Sequence, residues 1–224
     1  MKILIFLSLF ACSLLSVQAQ EKGISLEARI TELSKSSGDI ATERKKELNF
    51  LAKEIKALLQ EKGRAPITFV CTHNSRRSQL AQIWMNVGDA YYNIKGIESY
   101  SGGTEATAFN IRMVKAVKAF GFSLQVQVQK DNPEYLFQYP GANDLKLFSK
   151  KYDDAFNPKQ DFIAVMVCSQ ADKACPFVPG AYSRVSIPYL DPKAADNTPD
   201  ESASYDAKVE EIGKEVLYLC ALLK

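Results

Sequence analysis

Cys71, Arg77 and Ser78 stand in the run Cys71-Thr72-His73-Asn74-Ser75-Arg76-Arg77-Ser78, directly after the apolar stretch Pro66-Ile67-Thr68-Phe69-Val70. A buried strand that ends in Cys-x5-Arg-Ser and opens a helix suits attack by a thiolate on a bound tetrahedral oxyanion. The short loop turns successive backbone N–H groups toward one point, and the following helix adds its positive end. Arg77 offers two parallel donors to the same anion. All of these favour ionised Cys71, so nucleophile and anion cradle form one loop. Thr72, His73, Asn74, Ser75, Arg76 and Ser78 are the remaining candidate contacts of the anion. The plain alternative is a buried strand-end cysteine followed by a surface arginine. Leu80, Ile83, Trp84 and Val87, spaced i, i+3, i+4, i+7, start a helix near Ser78 and strengthen the first reading.

Further thiols join the loop. Cys168 ends the apolar strand Asp161–Cys168, and Cys175 follows in Cys168-Ser169-Gln170-Ala171-Asp172-Lys173-Ala174-Cys175. In a parallel sheet Cys168 emerges at the same edge as Cys71, so three thiols are expected to converge. Asp191-Pro192, beyond the strand Val185–Tyr189, falls at that edge too. Asp191 is a candidate general acid, against the bland reading of a solvated turn. His73 is the only histidine, and it reads as an exposed residue tuning the cradle rather than a base. No spacing of His, Cys and carboxylate suggests a metal site. Cys220 lies on an apolar helical face and reads as inert core.

These residues need a scaffold that alternates strand and helix. Strand Ile67–Cys71, helix Ser78–Tyr91, strand Ile97–Ser101, the turn Gly102-Gly103-Thr104 and helix Ala108–Phe120 follow one another. After strands Asp161–Cys168 and Val185–Tyr189, a helix over Ser202–Leu223 closes the chain. The pattern predicts an α/β fold: a parallel four-stranded sheet with helices on both faces, with ligands bound beyond the strands' carboxyl ends. The aromatic-rich stretch of about 125–160 breaks the alternation. Pro140-Gly141-Ala142-Asn143-Asp144 marks a turn there, and an inserted hairpin or flap covering the domain's edge is expected.

Ahead of the α/β domain (66–224) the chain shows two further parts. Residues 1–19 read as a signal peptide: Lys2, then apolar Ile3–Leu15, then Val17-Gln18-Ala19 as a cleavage site. As a helix that run covers only about 20 Å of a core of about 30 Å, so an exported, periplasmic or secreted protein is expected. Residues 20–65 form a helical extension with the stripe Leu48, Leu51, Ala52, Ile55, Leu58 and Leu59, a cap at Ser36–Asp39, and Arg44, Lys45 and Lys46 on its polar side. The net charge of +2 points to neither nucleic acid nor an acidic membrane surface. A monomer is expected.

Together, Cys71–Ser78, the turn Ser101-Gly102-Gly103-Thr104, the Cys168/Cys175 pair followed by Pro176, and Asp191-Pro192 resemble the low-molecular-weight protein tyrosine phosphatase superfamily. The likeness runs from about Pro66 to Leu223 and is greatest to the thioredoxin-coupled arsenate reductases. It implies that Cys71 attacks arsenate held by the loop and Arg77, with Asn74 bracing the loop and Ser78 stabilising the thiolate. Asp191 protonates the leaving oxygen, Cys168 attacks Cys71, and Cys175 attacks Cys168. It implies no cofactor beyond an external dithiol reductant, and a thioredoxin-like partner. The alternative within the superfamily is a phosphatase acting on a phosphate ester through a phosphocysteine, with Asp191 as general acid. A binding module without turnover is a third reading, and the joint presence of Cys71, Arg77, Ser78 and Asp191 speaks against it.

Overall fold

The computed structural model describes residues 24–224. The apolar N-terminal run, with Cys12 and the expected cleavage near Ala19, lies outside them. Four strands form a parallel sheet in the order β2-β1-β6-β7: β1 (Ala65–Cys71), β2 (Ile97–Gly103), β6 (Phe162–Met166) and β7 (Ala181–Ser186). Every residue of β1 and of β6 is buried, so both faces of the central sheet are covered. Such near-continuous apolar strands are what a sheet wet on neither side requires. From β1 the chain crosses to β2 on one side and later returns to β6 on the other. The switch point is therefore the carboxyl end of β1, where Cys71 stands.

Helix α3 (Arg77–Tyr92) follows β1, and the long closing helix α6 (Glu201–Leu223) packs against it. Trp84 on α3 donates its indole N–H to the Val209 carbonyl at 2.9 Å and meets Phe120 and Phe122 edge-on. Cys220 is fully buried against Met85, and burial drives its thiol far above the ordinary range.

In the N-terminal extension, α1 (Leu26–Lys35) is capped by Ser25 and leads through a 3₁₀ turn to α2 (Thr42–Lys62). The expected cap at Ser36–Asp39 is that 3₁₀ turn, and α2 opens without any side-chain cap at Ala41. Leu48, Leu51, Ala52, Ile55 and Leu58 of α2 are buried, and the helix packs on α6, β1 and β7. Gly63, left-handed at φ 72°, ends it.

Helix α4 (Ile111–Phe120) starts three residues later than its apolar pattern suggests. Asn110 caps it, and the Ala108 carbonyl is taken by the Ser75 hydroxyl at 2.7 Å. Strand β7 runs over Ala181–Ser186 rather than Val185–Tyr189, starting four residues earlier and ending three earlier than expected. Ile187 and Tyr189 still donate to the Met166 and Val167 carbonyls.

The stretch after α4 is a three-stranded antiparallel sheet, β3 (Leu124–Val128), β4 (Glu134–Phe137) and β5 (Leu145–Leu147). Tyr135 and Phe137 turn inward onto Phe109 and Phe122, so these aromatics extend the core. The chain then runs back beneath the Cys71 loop and bridges to β2, with Gly103 N–H donating to Lys150 O and Tyr152 N–H to Gly103 O, each at 2.9 Å. That approach requires glycine. A Cβ on Gly102 would lie 2.3 Å from Tyr152 Cα, and one on Gly103 would lie 2.2 Å from Glu105 O and 2.7 Å from Asn74 N. Gly103→Ala is therefore expected to lower stability by about 1–3 kcal/mol in a urea melt, because the atoms in the way are backbone.

Candidate functional site

The loop between β1 and α3 is built from residues that satisfy one another. Asn74, fully buried, takes the left-handed conformation at φ 46°, which asparagine tolerates better than most residues. Its Oδ1 accepts from Lys150 N–H at 2.9 Å and from Gln79 Nε2 at 3.2 Å. Its Nδ2 donates to Ser78 Oγ at 2.9 Å, and Ser78 Oγ lies 3.0 Å from Cys71 Sγ. Asn74 fills one acceptor position of Ser78, and the hydroxyl can donate to Cys71 Sγ when that sulfur is a thiolate, which only accepts. Cys71 is buried and reduced. Arg76 is the N-cap of α3 and its side chain takes up none of the first-turn amides.

Both arginines meet acids from the segment after β7. Arg77 Nη1 donates to Tyr189 O at 2.8 Å and Nη2 to Asp191 Oδ2 at 2.5 Å, while its buried Nε has no hydrogen-bond partner among the described residues. Arg76 Nε donates to Tyr205 Oη at 2.7 Å, and Nη2 lies 3.3 Å from Asp196 Oδ2. Tyr205 donates in turn to Asp196 Oδ1 at 2.8 Å. Burial and Asp196 push its phenol up to about 12. Arg77 thus holds the Asp191 carboxylate at the loop and keeps one buried donor, Nε, unused among the described residues.

Two of the three thiols, Cys71 and Cys168, lie at the carboxyl edge of the sheet, and Cys175 stands off from them. Val167 N–H donates to Val70 O at 2.8 Å, so Cys168 follows β6 beside the end of β1. Thr72 Oγ1 lies 3.5 Å from Cys168 Sγ. Cys168 also caps the short helix α5 (Ser169–Ala174), its sulfur accepting from Ala171 N–H at 3.3 Å. Half-buried Cys175 sits at the far end of α5, and burial raises its thiol above the ordinary range. At about 1.5 Å per residue the helix holds the two Cα atoms roughly 10 Å apart, whereas a disulfide needs less than about 7 Å. Joining them requires α5 to unwind, and with it the grip of Arg184, which donates to Cys175 O at 2.9 Å and to Asp172 O at 2.7 Å.

The other candidates fall into two groups. Asn74, Ser78 and Thr72 belong to the loop's contact set, whereas Ser75 turns away to Ala108 and Arg76 is committed to Asp196 and Tyr205. His73 is exposed, 3.4 Å from Glu105, and its carbonyl accepts from Ser149 Oγ at 2.8 Å. Lys150, almost wholly buried over the rings of Phe148 and Phe156, is a member of the site that sequence reasoning missed. Burial lowers its ammonium to about 8. Gln79, Ser149, Tyr189, Asp196 and Tyr205 were missed as well; only Gln79 lies close enough in the chain to Asn74 to have been suspected. Among the described residues no group of three His, Cys, Asp or Glu side chains could hold a metal ion, and no helix is long and apolar enough to cross a membrane.

No family model matches the chain. It is similar to the arsenate reductase of Halalkalibacterium halodurans, 31% identical over 153 residues that cover 67% of this chain and 91% of that one. Among solved structures it is similar to an arsenate reductase in the phosphate-binding state (TM-score 0.42, 15% identity, covering 71% of this chain and 99% of that one). It is also similar to the low-molecular-weight protein tyrosine phosphatase of T. tengcongensis (TM-score 0.43, 16% identity, covering 68% and 95%).

Proposed function

The chain belongs to the arsenate reductase family, and from that premise we propose that it reduces arsenate to arsenite with three of its own thiols. The Cys71 thiolate attacks arsenic, and an arsenate oxygen leaves as water with a proton from Asp191. Cys168 then attacks the Cys71 sulfur. The sulfur–arsenic bond breaks, its electron pair stays on arsenic as arsenite departs, and a Cys71–Cys168 disulfide remains. Cys175 attacks Cys168, frees Cys71 and leaves a Cys168–Cys175 disulfide, which an external dithiol reduces. Each exchange needs a thiolate in line with the sulfur it attacks.

One observation carries this reading: Cys71 ends β1 and Cys168 lies two residues past the end of the neighbouring parallel strand β6, with Thr72 Oγ1 3.5 Å from Cys168 Sγ. The second thiol gives the reductase its next step, whereas hydrolysis through a phosphocysteine does not require one. The N-terminal apolar run extends the proposal to an exported protein, served by a thioredoxin-like dithiol donor of that compartment.

A second reading, hydrolysis of phosphate esters through a phosphocysteine at Cys71, is favoured by the intact α5, which separates two free thiols. Substitution separates the two readings. With arsenate and a thioredoxin system, Cys168→Ser and Cys175→Ser are each expected to reduce repeated arsenite formation to background. Full arsenite production by both variants would overturn the relay. Aryl phosphate hydrolysis that survives both substitutions, with no arsenite from the unsubstituted protein, would establish the phosphatase.

A further inference from the structure

Arg44 sits in the N-terminal extension, where its neighbours Lys45 and Lys46 suggest the polar side of a helix, yet its side chain turns inward. Nη2 donates to the Pro188 carbonyl at 2.6 Å, Nε lies 3.4 Å from Glu215 Oε2, and Cζ lies 5.1 Å from the centre of the Tyr189 ring. Only 19% of the Arg44 side chain and 9% of the Glu215 side chain are exposed. A guanidinium can lie over an aromatic ring while its edges serve a carbonyl and a carboxylate; a lysine ammonium cannot do all three.

The segment it grips is the one that carries the site. Tyr189 O, the carbonyl next along the chain, accepts from Arg77 Nη1 at 2.8 Å, and Asp191 follows two residues later. From its other side, Tyr189 N–H donates to Val167 O at 3.1 Å, one residue before Cys168. The Tyr189 ring is buried. The Pro188–Tyr189 peptide thus has Arg44 on one carbonyl, Arg77 on the next and Val167, just past β6, on the amide between them. Freed from Arg44, it would keep its link to Val167 but lose the contact that fixes its rotation, and with it the direction of the Tyr189 carbonyl.

We propose that Arg44 is a positioning residue for oxyanion binding: by holding the Pro188–Tyr189 peptide it aims Arg77, which makes the N-terminal extension part of the active-site machinery. The inference rests on the reading of Arg77 as the group that holds the anion. Errors of an ångström in the placement of a binding group cost up to about a hundredfold, so a loosened Arg77 is expected to cost about tenfold in affinity.

The test uses the full chain and calorimetric binding of inorganic phosphate and of arsenate, with KM, kcat and thermal midpoints measured alongside. Arg44→Gln is made together with Glu215→Gln, so that no buried carboxylate is stripped of its counter-charge, and Glu215→Gln alone serves as the reference. Relative to that reference, Arg44→Gln is expected to raise Kd and KM about tenfold with a smaller fall in kcat. Arg44→Lys, which keeps the charge and one donor, is expected to fall between. A lowered thermal midpoint with unchanged Kd and KM would overturn the proposal and leave Arg44 a stabilising contact only. If the double variant does not fold, Arg44→Lys decides: unchanged phosphate affinity overturns the proposal, and weakened affinity supports it. Phosphate binding needs no turnover, so an unsubstituted protein that binds phosphate but forms no arsenite contradicts the reductase reading without touching this result.

Discussion

Cys71→Ser is expected to lower arsenate turnover by about 10⁴-fold or more, the scale of losing a nucleophile whose other partners stay in place. Serine is close in size to cysteine, and the 3.0 Å contact with Ser78 Oγ survives as a hydroxyl–hydroxyl bond. Asn74, Gln79 and Lys150 N–H still hold the loop, so the variant is expected to fold and to bind phosphate. The loss then lies in chemistry: a serine hydroxyl has neither the thiolate's nucleophilicity nor the means to form a disulfide with Cys168. Arsenite formation measured beside calorimetric phosphate binding checks both halves. Turnover retained to within tenfold would remove Cys71 from the mechanism.

Arg77→Lys is expected to lower kcat/KM by about 10²–10³-fold, the usual cost of losing one aimed donor in an anion site. The guanidinium serves Tyr189 O and Asp191 at once and keeps a buried Nε with no partner among the described residues, a donor that a bound oxyanion can satisfy. A lysine ammonium reaches one of these groups at a time and leaves a buried carbonyl or carboxylate without its partner. Steady-state kinetics with arsenate measure the loss, and phosphate affinity should weaken with it. An Arg77→Lys enzyme close to full efficiency would mean that the loop amides alone hold the anion.

How much of this could be read along the chain follows from how far each contact reaches. The apolar run before Cys71 and the period of Leu80, Ile83, Trp84 and Val87 are local signals, and they located the loop between β1 and α3. The apolar stretch Phe162–Met166 similarly fixed β6 and brought Cys168 to the edge that Cys71 occupies. Element ends were less legible where a tertiary contact outbids local preference. Ala108 continues the apolar pattern of α4 but gives its carbonyl to Ser75, and residues beyond Ser186 pair with β6 while lying outside β7. The braces of the site were not legible at all. Lys150 lies 76 residues from Asn74, Tyr205 129 residues from Arg76, and Arg44 144 residues from Pro188. Each is joined through a backbone group or a single polar atom that carries no periodic signature. Arg44 is the sharpest case, because a basic Arg-Lys-Lys run on an amphipathic helix gives no sign that one member turns inward.

The proposed relay requires Cys168 to reach the Cys71 sulfur while arsenic is bound to it. The most direct measurement treats Cys175→Ser protein, free of added thiol, with arsenate and maps its disulfides by mass spectrometry while counting arsenite. The relay predicts one arsenite per protein and a trapped Cys71–Cys168 disulfide, since the thiol that would resolve it is gone. Free Cys71 and Cys168 with no arsenite formed would contradict it.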